Sequence, residues 1–313
     1  MKIRKLLSLA AALILALSAV SCSSDTGLTS DTNGPGGNGS DDPTVTQTPG
    51  TNGGDPSSYI HVKLFKVGKA NATLIRTANS AVLIDNGDNE DDDGNGKYDD
   101  GEKILECLAE KSVTKIDYLI VTQFNKNHYG STPTILEGVE VKNIIEPNTT
   151  KTGTAYDSYR TAVDASGITP QVVSGVTEIS CDGVKYTIYP AEKDAVVADQ
   201  DEYYSLAVSA EYDDFSILLS SDIFGARMES LIASLAGKTF DVLQIPMHGA
   251  YNDGIESFIT AVDPDYAVIF ASYNNPEDSR VTRILSDKGI TFYVTKDGSV
   301  EVKYEDGVLN VKQ

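Results

Sequence analysis

The 313-residue sequence predicts an α/β fold in which β-sheets are covered by helices on their outer faces. Two observations carry this. Short strands open the folded part, beginning at 59–67, where Ile60, Val62 and Leu64 share one face and His61, Lys63 and Phe65 the other. Farther on, apolar runs at 215–219, 242–245 and 266–270 are flanked by helical patterns such as 226–235 and 254–262. No period of 20–50 residues recurs, which argues against a repeat array.

The first 58 residues read differently. Lys2, Arg4 and Lys5 precede an apolar stretch from Leu6 to Val20 that ends at Ala19-Val20-Ser21-Cys22, the pattern of a secretory signal over 1–21. Cys22 is placed as the acylated cysteine of a bacterial lipoprotein; the alternative is an ordinary signal with an incidental cysteine. Two or three acyl chains, at about 0.8 kcal/mol per buried methylene, hold a protein at a membrane where one would not. Residues 22–58, rich in Ser, Gly, Thr and Asp, have too few apolar side chains to offset the entropy of ordering. They form a flexible stalk with a reach of about 30–36 Å. The expected location is therefore the cell envelope, exported and lipid-anchored.

Charge narrows the partners. The chain carries a net charge of −21, and cleavage at the cysteine would remove three basic residues and no acidic one. Binding of a nucleic-acid backbone needs Lys and Arg against phosphates, so no nucleic-acid partner is expected. The other cysteines, Cys107 in a helical pattern and Cys181 in a strand-like one, read as two buried thiols in preference to the alternative, a disulfide, since nothing in the sequence brings them together.

Residues 59–313 form the folded domain. After the first strand, 72–76 and 80–84 follow as short strands, then an acidic loop inserted at 88–102 and a helix at 103–111. Within that loop, Asp91 to Glu102 fits the calcium pattern D-x-[DN]-x-[DN]-G-x₅-E. Asp91, Asp93, Asn95, the carbonyl of Lys97, Asp99 and a bidentate Glu102 supply the oxygens, and Gly96 the sharp turn. The incoming helix of a paired hand is replaced by a β-run, so the expected role of calcium is structural, pinning the strand–helix connection; the alternative is a solvated acidic loop.

Polar residues gather where strands end. His128 follows the run 117–121, Asp222 follows 215–219 and His248 follows 242–245, and α/β folds collect their sites where strand ends meet loops. Each residue alone is ordinary: a loop histidine, or an aspartate ahead of a helix.

The segments K-V-G-K-A-N-A-T-L-I (66–75), A-V-L-I-D-N-G (81–87), L-I-V-T-Q-F-N-K-N-H-Y-G-S (119–131), S-I-L-L-S-S-D (216–222), D-V-L-Q-I-P-M-H-G-A (241–250) and T-K-D-G-S-V-E-V (295–302) together resemble the metallo-β-lactamase superfamily. Within it they are most similar to the hydrolase-like domain of competence-type DNA-uptake proteins. The resemblance implies an αββα sandwich, two mixed β-sheets with helices on the outer faces and the site at the sheet edges. The family's His-x-His-x-Asp-His signature falls on Gln123, Asn125, Asn127 and His128, so only the last is kept. The later metal positions fall on Asp222 and His248, with Met247 beside the latter.

Amides are poor ligands for zinc, so the resemblance implies no dinuclear centre. His128, Asp222 and His248, with Asn127 as a weak neighbour, could still hold one zinc or another divalent metal. Lys126 would then either oppose the ion or pair with Asp222. Two readings stay open. One is a vestigial or divergent metal site that binds a small molecule or protein through Gln123, Asn125, Asn127 and the nearby Tyr129. The other is a mononuclear hydrolase of an extracytoplasmic substrate, slowed by the loss of the aspartate at 127 unless Asp88 or another loop carboxylate replaces it.

Overall fold

The structure is a computed structural model that describes residues 59–90, 99–191 and 204–313. The signal segment, Cys22, the stalk and the calcium-loop positions Asp91, Asp93, Asn95 and Lys97 lie outside the described residues.

The first half runs β1 (Tyr59–Leu64), β2 (Ala72–Arg76), β3 (Ala81–Asn86), α1 (Asp100–Glu110), β4 (Lys115–Ile116), β5 (Tyr118–Ile120), α2 (Lys126–Tyr129), α3 (Thr132–Gly138), β6 (Glu140–Val141), β7 (Ile144–Pro147), α4 (Thr154–Ser166) and β8 (Gln171–Val173). The second runs β9 (Thr177–Cys181), β10 (Val184–Tyr189), β11 (Ala207–Tyr212), β12 (Phe215–Leu219), α5 (Ala226–Leu235), β13 (Val242–Gln244), α6 (Ile255–Val262), β14 (Tyr266–Ile269), α7 (Ser279–Asp287), β15 (Thr291–Val294), β16 (Val300–Glu305) and β17 (Val308–Lys312). One sheet has the order β17-β16-β1-β2-β3-β5-β7-β8 and the other β15-β14-β13-β12-β11-β10-β9, with β4 and β6 paired apart. In each, antiparallel strands give way to parallel ones, at β3–β5 and at β12–β13.

Strand periodicity builds the layers. Ile217, Leu219, Val242 and Val268 point into the core shared with the first sheet, while Leu218, Leu243, Ala267 and Ile269 point the other way, into a second core closed by α5, α6 and α7. Both faces of the central strands are thus apolar, and each fully buried Leu, Ile or Val contributes about 1.5–3 kcal/mol. The αββα sandwich is the fold the chain adopts.

Local differences have identifiable causes. Helix α1 begins at Asp100, before the expected Lys103, because the Asp99 side chain accepts the Glu102 amide at 2.8 Å and caps it. Asp117 lies outside the strand expected from it; its carboxylate takes the Ala81 amide at 3.1 Å and Lys142 at 2.9 Å. Helix α4 escaped the sequence reading because Tyr156, Tyr159 and Val163 are spaced among Thr, Ser and Asp, which favour turns and caps. Cys107 and Cys181 are both free thiols; Cys107 is buried, but Cys181, at the end of the edge strand β9, is only partly so.

Candidate metal centre

The carboxyl ends of β3, β5, β12 and β13 supply the site. Asp85, near the end of β3, is buried, and its Oδ1 accepts the Thr122 amide at 2.8 Å. Its Oδ2 accepts the Thr122 hydroxyl at 2.7 Å and stands 2.7 Å from Nδ1 of His128. This contact turns the other ring nitrogen, Nε2, toward Oδ2 of Asp222 at 3.2 Å. The same Asp222 oxygen lies 3.1 Å from His248 Nε2. One potential ligand atom from each of His128, Asp222 and His248 falls within 4.8 Å of the others, and all three residues are buried.

The backbone is strained here. Asp85, Ser221, Met247 and His248 have φ of 55°, 52°, 53° and 54°, in the left-handed region. Residues held in such conformations cost roughly 1–3 kcal/mol each and need surroundings that enforce them. Ser221 shows such enforcement: its amide is taken by Gln244 Oε1 at 2.7 Å and its hydroxyl lies 2.6 Å from that of Thr122.

Burial alone would push the His128 imidazole toward the neutral form, but the carboxylates of Asp85 and Asp222 outweigh it and raise its pKa to about 10. For Asp222, burial would raise the pKa; the charges of His248 and His128 hold it well below the ordinary value. Gln123 Nε2 stands 2.7 Å from His128 Nε2, and two donors cannot face each other when the imidazole is protonated. The amide must then present Oε1 instead, which gives that otherwise unpartnered buried oxygen its hydrogen bond.

Another buried atom, Asp222 Oδ1, has no partner among the described residues. A carboxylate oxygen left over beside a two-histidine cluster fits a cation in the site. So does the Asp85–His128 contact, since metal-bound histidines give their far N–H to a carboxylate. The residues fit one divalent ion. They do not fit two, because Gln123 is neutral and Asn125 is drawn off to Lys151 Nζ at 3.2 Å. Asn127 stays close, its Nδ2 being 3.2 Å from His248 Nε2.

Several expected roles move. Lys126 neither faces an ion nor pairs with Asp222: it pairs with Asp88 at 3.0 Å and with Glu90. Asp88 is thereby occupied, and its Oδ1 also takes the amides of Asn89 and Glu90. Tyr129 is no cleft residue; it is buried edge-on against Phe124, because the aromatic cluster of Phe124, Tyr129 and Tyr159 fills the space beneath α4. Of the calcium positions, Asp99 and Glu102 meet through the helix cap, and Asp99 Oδ2 takes the Thr134 hydroxyl at 2.8 Å. Asp85 escaped notice as a site residue; the signal was a lone carboxylate closing the wholly apolar run Ala81 to Ile84.

Two mixed sheets under outer helices, with a histidine–carboxylate cluster at the strand ends, define a metallo-β-lactamase-fold protein. The chain is 25% identical over 256 residues to "Recombination protein 2" of Haemophilus influenzae, across 80% of this chain and 30% of that protein. It is 22% identical over 213 residues to "ComE operon protein 3" of Bacillus subtilis, across 66% of this chain and 27% of that one. These relatives agree with the competence-type resemblance, and the chain spans less than a third of the length of each. Among solved structures, Tm1679, a metal-dependent hydrolase of the β-lactamase superfamily, matches with a TM-score of 0.51 and 11% identity, over 80% of this chain and 100% of that one. No protein-family model matches the chain.

Proposed function

We propose that this chain is an exported bacterial lipoprotein, tethered through Cys22, whose metallo-β-lactamase-fold domain holds one divalent ion in a divergent site and uses that site to bind a ligand. The observation that carries the reading is the buried set His128, Asp222 and His248, with Asp222 Oδ1 left unpartnered among the described residues. Bound there, a divalent ion supplies Lewis acidity. The chain's own residues orient His128 through Asp85 and Gln123, and Asn127, beside His248, offers its amide to a ligand. Calcium in the 88–102 loop is part of the proposal. The base of that loop is clasped independently of it: Asp100 Oδ2 takes the Asp88 amide at 2.9 Å, and the Asp100 amide reaches the Asp88 carbonyl at 3.3 Å.

A second reading, mononuclear hydrolysis of an extracytoplasmic substrate, is favoured by the ligand count, which leaves a coordination place for water. It lacks a base. Asn127 takes no proton, and Asp85, Asp88 and Asp222 are each engaged. Such a loss costs about 10²- to 10⁴-fold in rate, so Asn127→Asp should raise any hydrolysis found. Elemental analysis tests the main reading. One transition-metal equivalent per chain, lost in His248→Ala, is the expected result; two equivalents, or none after incubation with zinc, would refute it.

A further inference from the structure

A cavity of about 500 Å³, within the range of small-molecule sites, opens between loops that also brace the ion site. Lys66, Lys103, Lys296, Ser272, Tyr273 and Asn274 line it, and among the described residues no carboxylate does. Of the three ammonium groups on its lining, two have carboxylate partners behind them, Glu277 for Lys296 and Asp100 for Lys103.

Both walls of the cavity also support the ion site. One wall is the loop between β1 and β2, in which the Lys69 carbonyl takes Asn127 Nδ2 at 3.3 Å and the Asn71 amide reaches the Asn127 carbonyl at 3.0 Å. The other is the loop after β14, whose Asp278 amide reaches the Gly249 carbonyl at 3.1 Å. Gly249, next to His248, sits so close to Glu277 that a Cβ there would lie 3.0 Å from that residue's own. Glu277 in turn holds Lys296, with 2.7 Å to each carboxylate oxygen. The loops that line the cavity are therefore tied to Asn127 on one side and to the His248–Gly249 turn on the other.

The charges facing the cavity are not equally satisfied. Lys66 is exposed and has no ion-pair partner among the described residues. Lys296 points two of its three donors at Glu277, which leaves one N–H for the cavity. Lys103 stands 3.4 Å from Asp100. Tyr273, 71% exposed, stands at the cavity with its hydroxyl 2.9 Å from Asp297 and its ring face open.

We propose that this cavity receives the oxyanion of the ligand handled at the ion site, a phosphate or a carboxylate, with Lys66 as its main charge partner and Lys296 as a second donor. The assignment rests on the proposed ligand-binding function, since it names the chemical class of that ligand.

The test uses the full chain stripped of metal with a chelator that is then removed. Inorganic phosphate and acetate are titrated separately by calorimetry at constant ionic strength. At least one is expected to bind saturably. Lys66→Glu should weaken it at least tenfold and Lys66→Met severalfold, while Lys185→Glu, exposed on β10 at the other end of the second sheet from β14 and β15, leaves it unchanged. Phosphate alone, or acetate alone, identifies the oxyanion; binding of both leaves the shared class standing. No binding by either anion, or equal weakening by Lys66→Glu and Lys185→Glu, overturns the proposal. His248→Ala separates the two readings. Anion binding that survives this substitution while zinc uptake is lost upholds the cavity, and anion binding that needs zinc overturns it, whatever the metal stoichiometry.

Discussion

Nδ1 of His128 and Oδ2 of Asp85 lie 2.7 Å apart with side chains 0% and 3% exposed, and this contact determines what the site can do. Without an ion, His128 carries a proton on each nitrogen between two carboxylates. An ion held by His128 would take the place of the Nε2 proton, leaving Nδ1–H donated to Asp85.

Ion binding is therefore expected to release a proton and to strengthen with pH. The folded pKa of His128, about 10, exceeds the ordinary 6.5, so its contribution to metal-free stability is complete below about pH 6.5 and lost as pH rises through 10. Over that window zinc affinity should rise by about tenfold per pH unit. Competition with a chelator at several pH values between 7 and 9 measures this; a flat profile would mean that His128 is neutral before the ion arrives.

Replacing Asp85 by Asn isolates the charge, since asparagine accepts the left-handed conformation that Asp85 adopts at φ 55°. Breaking a buried charged pair costs about 3–5 kcal/mol, so the metal-free Asp85→Asn protein should unfold at clearly lower denaturant at pH 7. The difference should shrink toward pH 10, where His128 loses its proton. A penalty that does not change with pH would place the cost in packing.

Calcium should raise the melting temperature of the full chain, and Glu102→Gln should remove most of that gain by weakening the bidentate ligand of the 91–102 pattern. Glu102 is exposed on the first turn of α1, so the substitution leaves the core intact. Melting curves identical in calcium and in chelator would leave the segment an acidic loop.

Cys22→Ser should shift the protein from the membrane fraction to the soluble envelope fraction of the producing bacterium, because the acyl chains carry the attachment. Equal membrane association of both forms would remove the lipoprotein reading.

The linear sequence determined the layers and the ligand types. Alternation and apolar runs disclose strands because side chains point to opposite faces with period two, and the amides at 123, 125 and 127 disclose the loss of imidazole and carboxylate donors regardless of geometry. The strand-end positions of His128, Asp222 and His248 were visible for the same reason. The tertiary structure alone decided partners. Asp85 joins His128 across 43 residues, Lys126 turns to Asp88 and Glu90 instead of Asp222, Asn125 leaves for Lys151, and Lys66 meets Lys296 across a cavity. Those pairings depend on side-chain direction and on which loops the two sheets bring to one edge, and neither is encoded in the local period or composition of any one segment.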